Sequence, residues 1–506
     1  MAGTTLSPLA PPEEPSVVQS EPSPARELDR SLVRGLAWTG TTRWATQILT
    51  WASTLVVAKL LAPTDYGLVG MAMVYLGLMQ LVNDFGLGLT IVQRRDLDGD
   101  QIARLGGFAL VIGCVLIGLS AALSGAVARF FGEPAVGPIV VVWSLAFLMA
   151  AAQTVPRALL RRDLDFRRLA WADGAEAFAA TVTTLTLAAT GFRYWALVFG
   201  TLAGRLTSTI LTCVWRPHRV AWPSRFGSIA TAVTFGWHVV VGTLAWYFYD
   251  NADFAIVGRV LGKAALGAYT LGWTIASIPV DRVTALVGSV TLPVFSAVQH
   301  DRPALQRYLR NLTEALALIT FPAAVGIALV ADEFVLLALG DRWRPAILPL
   351  RLLALAAASR SISALLPQVI IATGHSKRSM QFTILAALVL PALFYFGSHW
   401  GAAGVAAAWL VGHPLLVMPL VLVYALRLTD LSLGGYLRSL RPAAGATLAM
   451  AAAVLAVRWS TPLSWPLSVR LAAHVLVGVA VYAAVVYGAH RRRVQALWAV
   501  VRAVRE

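Results

Sequence analysis

Three arginines stand where arginine is costly. Arg43, Arg205 and Arg360 each fall near the middle of a long apolar stretch. An ionisable group at bilayer depth costs about 2.5–3.5 kcal/mol on insertion scales, so each marks a functional candidate. Arg282 and the acids Asp84, Asp173, Glu176 and Asp281 lie nearer the ends of such stretches. The pattern predicts cations at mid-depth with no acid at the same level, forming a positive cavity. A guanidinium offers a planar fork of donors that fits phosphate oxygens, so a ligand carrying phosphate is the expected occupant.

Polar spacing names the helix faces that could line this cavity. Thr39, Arg43, Gln47, Thr50 and Thr54 recur at steps of three and four, as do Thr201, Arg205, Ser208 and Thr212. Residues so spaced share one face of a helix. Arg43, Arg205, Arg282, Arg360, Gln47, Thr50 and Ser208 are therefore the candidate substrate-binding set. Thr270, Thr274, Ser277, Asp281 and Thr284 make a third stripe, although hydroxyl stripes also pack helix against helix. Asp84, Asp250, Asp253 and Asp281 are candidates for coupling to H+ or Na+. For Asp250 and Asp253, at a predicted helix end, a solvated terminus is the competing reading. Arg34, Arg351 and Arg458 lie at predicted ends and are expected to reach back to the interface. Trp38, Trp51, Trp237, Trp246 and Tyr249 suit sugar stacking or, more commonly, an interfacial belt. His238, His413 and His474 are scattered singly, which favours packing over a proton relay.

Other chemistry lacks its residues. There is no Gly-rich loop ending in Gly-Lys-Ser/Thr, so direct ATP drive is not expected. Cys114 and Cys213 both lie in apolar runs and give no metal or redox spacing. No enzyme activity, cofactor or metal is expected. The connections between apolar runs are too short for the soluble domain of a membrane-embedded polymerase or glycosyltransferase, the rival from another class.

The elements that must hold these residues follow from composition. Of 506 residues, 58% are hydrophobic and 13% charged, and about 20 apolar residues cross a hydrocarbon core. Helical spans are predicted near 31–58, 67–91, 104–128, 138–158, 169–190, 194–214, 228–249, 265–290, 311–330, 346–371, 380–397, 401–425, 442–458 and 470–489. The fold class is thus an all-α polytopic membrane protein with about fourteen transmembrane helices. The net charge of +16 sits in short clusters between spans, which argues against nucleic acid. In alternate connections and at the two ends lie 27 of the 41 Lys and Arg, against 10 in the opposite connections. By the positive-inside rule both termini are then cytoplasmic. Residues 1–30, rich in Pro, Glu and Ser, read as a disordered tail.

The chain also echoes itself. Lys59-Leu60-Leu61 and Gly67 recur 200 positions later as Arg259-Val260-Leu261 and Gly267. Gly191 with Trp195-Ala196 is echoed by Gly401, Gly404 and Ala406. Six-helix lobes at 31–225 and 226–426, related by a parallel repeat, are expected. Two added helices (427–490) and a basic tail (491–506) would follow.

Residues 58–63 (Ala-Lys-Leu-Leu-Ala-Pro), Tyr66-Gly67 and Asp84-Phe85-Gly86-Leu87 carry a resemblance. So do Asp253 to Gly258, Leu266-Gly267-Ala268-Tyr269, Pro279, Leu292-Pro293, Leu339-Gly340 with Trp343, Ala372-Thr373-Gly374 and Gly401 to Ala408. In order and spacing they resemble the polysaccharide transporter family of the multidrug/oligosaccharidyl-lipid/polysaccharide exporter superfamily. The resemblance implies a flippase of the bacterial cytoplasmic membrane, moving an undecaprenyl-pyrophosphate-linked oligosaccharide by alternating access. It implies as partners the lipid-linked cargo, membrane lipids, a polysaccharide polymerase and other assembly proteins. Within the superfamily, a peptidoglycan lipid-intermediate flippase and a multidrug exporter are the alternatives.

Overall fold

The computed structural model describes residues 50–84, 86–94, 96–222, 244, 246–462 and 464–503. Arg43, Gln47, Trp38, Trp237, His238, the N-terminal tail and most of the expected first and seventh spans lie outside the described residues. Regular structure among the described residues is entirely helical. In chain order the helices are α1 (50–60), α2 (Pro63–Asp84), α3 (Leu87–Gln93), α4 (Gly99–Phe131), α5 (Val136–Trp143) and α6 (Leu145–Arg162). Next come α7 (Phe166–Ala189), α8 (Tyr194–Trp215), α9 (246–256), α10 (Gly262–Ala297), α11 (Arg302–Ala338), α12 (Ile347–Ser363) and α13 (Leu365–Ala372). The chain continues through α14 (Ser376–Gly397), α15 (Gly401–Ala407), α16 (Met418–Thr429), α17 (Leu433–Ser460) and α18 (Leu467–Ala503).

Ten stretches among the described residues are long and apolar enough to cross a membrane. Ser376–Thr429 counts as one of them at 54 residues, yet it turns back on itself through a short helix at Ser398–Trp400 and Gly401, whose φ is 71°. Gly397 and Gly404 close this hairpin, since a Cβ on Gly404 would lie 2.0 Å from the Gly397 carbonyl. α7 falls outside the ten. Its Asp173, Glu176 and run of threonines make it the polar helix of the first half.

Helix ends are set by local chemistry. Asp98 and Gln101 form a reciprocal capping box at the start of α4, and Gly132 ends it at φ 70°. Asp301 caps α11 and Ser432 caps α17 through side-chain oxygens that accept backbone N–H groups. Two segments wind as π-helix, Val257–Leu261 before α10 and Ala408–Val417 before α16. Pro414 lies in the second and can donate no backbone hydrogen bond.

Packing differs between the two ends of the bundle. Where α2 and α10 begin, one apolar core joins both halves of the chain, with Met71, Val140 and Phe147 from the first half and Leu266, Tyr269, Trp343 and Trp409 from the second. At the opposite end the cores are separate. Leu87, Ile91, Leu105 and Val155 form one, and Phe295, Leu305, Leu366, Ile370 and Tyr436 form the other. The halves are fused at one end and parted at the other.

The fused end turns on two glycines. A Cβ on Gly67 would lie 1.7 Å from the Lys263 carbonyl oxygen, and one on Gly267 would lie 1.7 Å from that of Pro63. The contact is reciprocal, and each residue's counterpart stands 200 positions away. Only glycine lets two helix backbones approach so closely. Around it, Lys263 donates to Glu133 at 2.9 Å, Trp343 Nε1 donates to the Ala58 carbonyl at 2.7 Å and Tyr247 Oη donates to that of Val74 at 2.8 Å. Tyr66 meets Trp343 edge to face at 5.3 Å. Thr270 packs over Gly70 in the same seam, so the upper part of the third hydroxyl stripe packs helix on helix.

α17 and α18 are fastened to α11 by charge. Asp332 accepts from both Arg351 of α12 and Arg458 of α17, and Arg458 also donates to the Leu329 carbonyl. Glu333, 1% exposed, accepts from Arg470 of α18 at 3.3 Å and lies 3.7 Å from His474 Nδ1. This corrects the expectation that Arg351 and Arg458 reach for the interface; a carboxylate on the neighbouring helix holds both. Asp332→Ala should lower stability by about 2 kcal/mol, because it leaves two facing guanidiniums without a counter-ion in a partly buried site. Arg351→Met leaves the Asp332–Arg458 pair neutral and should lower it by less than about 1 kcal/mol. Thermal unfolding in detergent checks the order of the two.

Candidate functional site

Two cavities open below the fused core, one in each half. Gln80, Leu81 and Asp84 of α2 line the first, and Val280, Asp281 and Thr284 of α10 line the second. These positions again differ by 200. They stand 13 to 17 residues beyond Gly67 and Gly267, or roughly 20–25 Å at 1.5 Å per residue. Both cavities therefore lie well away from this contact, with the fused core at the glycine end.

The second-half cavity, of about 430 Å³, is built around Arg360. Its guanidinium lies over the Trp273 ring at 4.3 Å and the Trp409 ring at 4.9 Å, a cation–π arrangement that suits the delocalised guanidinium better than an ammonium. Trp409 is itself held in place, because its Nε1 donates to Asp253 at 2.8 Å. Asp253 is fully buried and also accepts from Tyr269 Oη at 2.7 Å and the Phe254 N–H at 2.8 Å. Asp253, a coupling candidate with a solvated helix end as the competing reading, is instead a buried carboxylate that orients an aromatic wall. The π-helical winding presents Trp409 and His413 to the cavity. Trp246, Tyr249, Asp250 and Asp281 also line it, so these two aromatics face the cavity.

The first-half cavity, of about 590 Å³, gathers Arg157, Arg161 and Arg205 with Asp84, Asp173 and Glu176. Arg157 of α6 is its hub. It donates to Asp173 of α7, to Gln153 and Ser208 at 3.2 Å each, and lies 3.8 Å from Glu176. Gln80 donates to Asp84 at 2.7 Å.

These placements overturn the expectation of arginines without acids at their level. Arg205 Nε stands 3.6 Å from Glu176, and an Arg360 terminal nitrogen stands 3.7 Å from Asp250. The reason is that α7 and α9 bring carboxylates from facing helices, which spacing within one helix does not reveal. Both separations exceed hydrogen-bond length, so the carboxylates balance charge without occupying the N–H forks. Each guanidinium keeps donors for an oxyanion that can displace its counter-ion.

Of the other expected residues, Thr50 lines a neighbouring pocket with Thr54 and Thr201. Ser208 is buried between Arg157 and Gln153 instead of facing the opening. Arg282 is exposed beside Asp281 and is not among the lining residues. Asp84, Asp250 and Asp281 line cavities, and Asp253 supports one. Arg157 is not among the expected residues because it lies at the edge of a basic cluster with Arg161, Arg162, Arg167 and Arg168, although Gln153 and Arg157, one helical turn apart in an apolar run, are the available signal.

The chain is 24% identical over 363 residues to the lipopolysaccharide biosynthesis protein WzxC of Escherichia coli K12, covering 70% of this chain and 73% of the relative. It is 25% identical over 413 residues to the teichuronic acid biosynthesis protein TuaB of Bacillus subtilis, covering 80% and 84%. In fold it is similar to a lipid II flippase, MurJ, in an inward closed conformation, with a TM-score of 0.73 at 13% identity over 90% of this chain and 99% of that one. An inward-facing multidrug resistance transporter of the MATE family matches at a TM-score of 0.59 and 15% identity, over 79% and 95%. The family described as polysaccharide biosynthesis protein matches residues 56–348, more than half of the sequence, and the chain belongs to that family.

Proposed function

We propose that this chain is a flippase that carries a polyprenyl-pyrophosphate-linked oligosaccharide across the cytoplasmic membrane for surface-polysaccharide assembly. The observation that carries the reading is the pair of arginine-bearing cavities at equivalent depth, both beyond a core and a glycine contact that join the two halves at one end. Such a molecule exposes its site to one side at a time, which is the geometry alternating access requires. Arg205 and Arg360 bind phosphate oxygens through forks that their carboxylate neighbours leave unfilled, while Arg157, already bonded to Asp173, Gln153 and Ser208, adds positive charge to the first-half cavity. Arg43 and Gln47 belong to the same face of the first span in this reading.

The finer architecture is part of the proposal. Fourteen crossings in two six-helix lobes plus two added helices agree with the helix positions and with the 200-residue recurrence across the seam. The charge bias puts both termini in the cytoplasm and the glycine end outside. The cavities then open inward, toward the side where such lipids are made. No catalytic constellation is assigned to them. The carboxylates Asp250, Asp281 and Glu176 favour a second reading, export of organic cations. A deletion strain decides: loss of a surface glycan, with its lipid-linked unit retained on the inner leaflet, is the expected result. Intact glycan with new sensitivity to cationic dyes would replace the flippase reading with the second.

A further inference from the structure

A third cavity, of about 570 Å³, lies between α1, α7 and α8 and shares Asp173 and Glu176 with the arginine cavity of the first half. Among the apolar Val57, Ala177, Ala180 and Leu197, six threonine and serine hydroxyls stand on its wall, from Thr50, Ser53, Thr54, Thr181, Thr184 and Thr201. Gly200 makes room for one of them, since a Cβ there would lie 1.8 Å from Thr184 Oγ1. Two already spend their proton on the backbone. Thr54 donates to the Thr50 carbonyl at 2.8 Å, and Thr201 donates to that of Leu197 at 2.9 Å. A hydroxyl has one proton and two lone pairs, so these two oxygens can only accept from a ligand. With the carboxylates of Asp173 and Glu176 they form an acceptor-rich trough, matched to a ligand whose surface is covered with O–H donors.

Resting on the flippase reading, we infer that this trough is the saccharide subsite, with Glu176 standing between the phosphate-binding arginines and the sugar hydroxyls. The order along α7 fits. Asp173 lies near the start of the helix and Thr184 about three turns further. In the proposed orientation the phosphates stay on the cytoplasmic side of the sugars, and the sugars reach toward the closed end, where water is scarce and hydroxyl partners are most needed. Bulk lipid chains would gain nothing from such a wall.

The test uses the purified full chain in nanodiscs and two probes, undecaprenyl pyrophosphate bare and carrying the host's own repeat unit. Wild type should bind the saccharide-bearing lipid more tightly. In Thr54→Val/Thr201→Val, which keeps side-chain shape, that preference should shrink by about tenfold or more. Thr54→Ser/Thr201→Ser should restore it. Ala177→Phe, which fills the trough, should abolish the preference by volume alone, guarding against a folding defect in the valine pair. Retained preference in both the valine and phenylalanine variants overturns the subsite, as does a wild type that binds the two probes alike; in either case the flippase reading stands. A wild type that binds neither probe removes both.

Discussion

Export by Arg360→Ala should fall roughly a hundredfold at sub-saturating cargo, while Arg360→Lys retains about a tenth of wild-type transport. The alanine figure corresponds to about 3 kcal/mol, the worth of two hydrogen bonds between a guanidinium and an anionic oxygen pair. Two effects act together. Alanine removes the fork, and it leaves Asp250 and Asp281 lining the same cavity with no facing cation, so the site repels phosphate. Lysine keeps the charge but loses both the fork and the delocalised cation that lies over the Trp273 and Trp409 rings. Asp250→Asn should have the opposite sign for binding, because it removes the carboxylate that competes with cargo for Arg360. The measurement is glycan export normalised to membrane protein level, with cargo binding for Asp250→Asn. Normal export by Arg360→Ala would end the role given to this cavity. Loss of export with loss of protein from the membrane would make Arg360 structural.

The sequence legibly carried whatever is encoded along one helix. Apolar runs gave the positions of helices such as α4, α11 and α17, because each must be long and apolar by itself. The 200-residue recurrence of Gly67 as Gly267 was readable, since close helix approach requires glycine in both copies. Arg205 and Arg360 were readable because a charge in an apolar run is costly wherever its partner is. What periodicity could not give is which helix faces which. Glu176 reaches Arg205 from α7, Asp250 reaches Arg360 from α9, and Asp332 gathers arginines from α12 and α17. Each pair joins residues whose chain separation carries no period. The division of the third hydroxyl stripe has the same origin: Thr270 meets Gly70 of α2, whereas Asp281 and Thr284 lie beyond the seam and face the cavity.

Bridging the two halves at the glycine end should stop transport reversibly. In the proposed cycle the reciprocal contact of Gly67 with Lys263 and Gly267 with Pro63 must part for cargo to leave outward. The Glu133–Lys263 ion pair crosses that seam beside it, at 2.9 Å and with side chains 22% and 40% exposed. The double substitution Glu133→Cys/Lys263→Cys, in a Cys114→Ser/Cys213→Ser background, removes a pair worth under about 1 kcal/mol. The uncross-linked variant should therefore export near the wild-type level. A short bis-methanethiosulfonate spacer joining the two introduced thiols should then reduce transport more than about tenfold, since a covalent tie outweighs any differential binding the cargo can supply. Reductant should restore it. A complementary change acts in the other direction: Gly267→Leu places a side chain where the Pro63 carbonyl lies, so the seam is forced apart. That variant should become reactive to a membrane-impermeant thiol reagent at Thr270→Cys, a position otherwise packed over Gly70. Full transport by the cross-linked protein would show that the fused end stays closed throughout the cycle, and the exit would then have to be sought elsewhere.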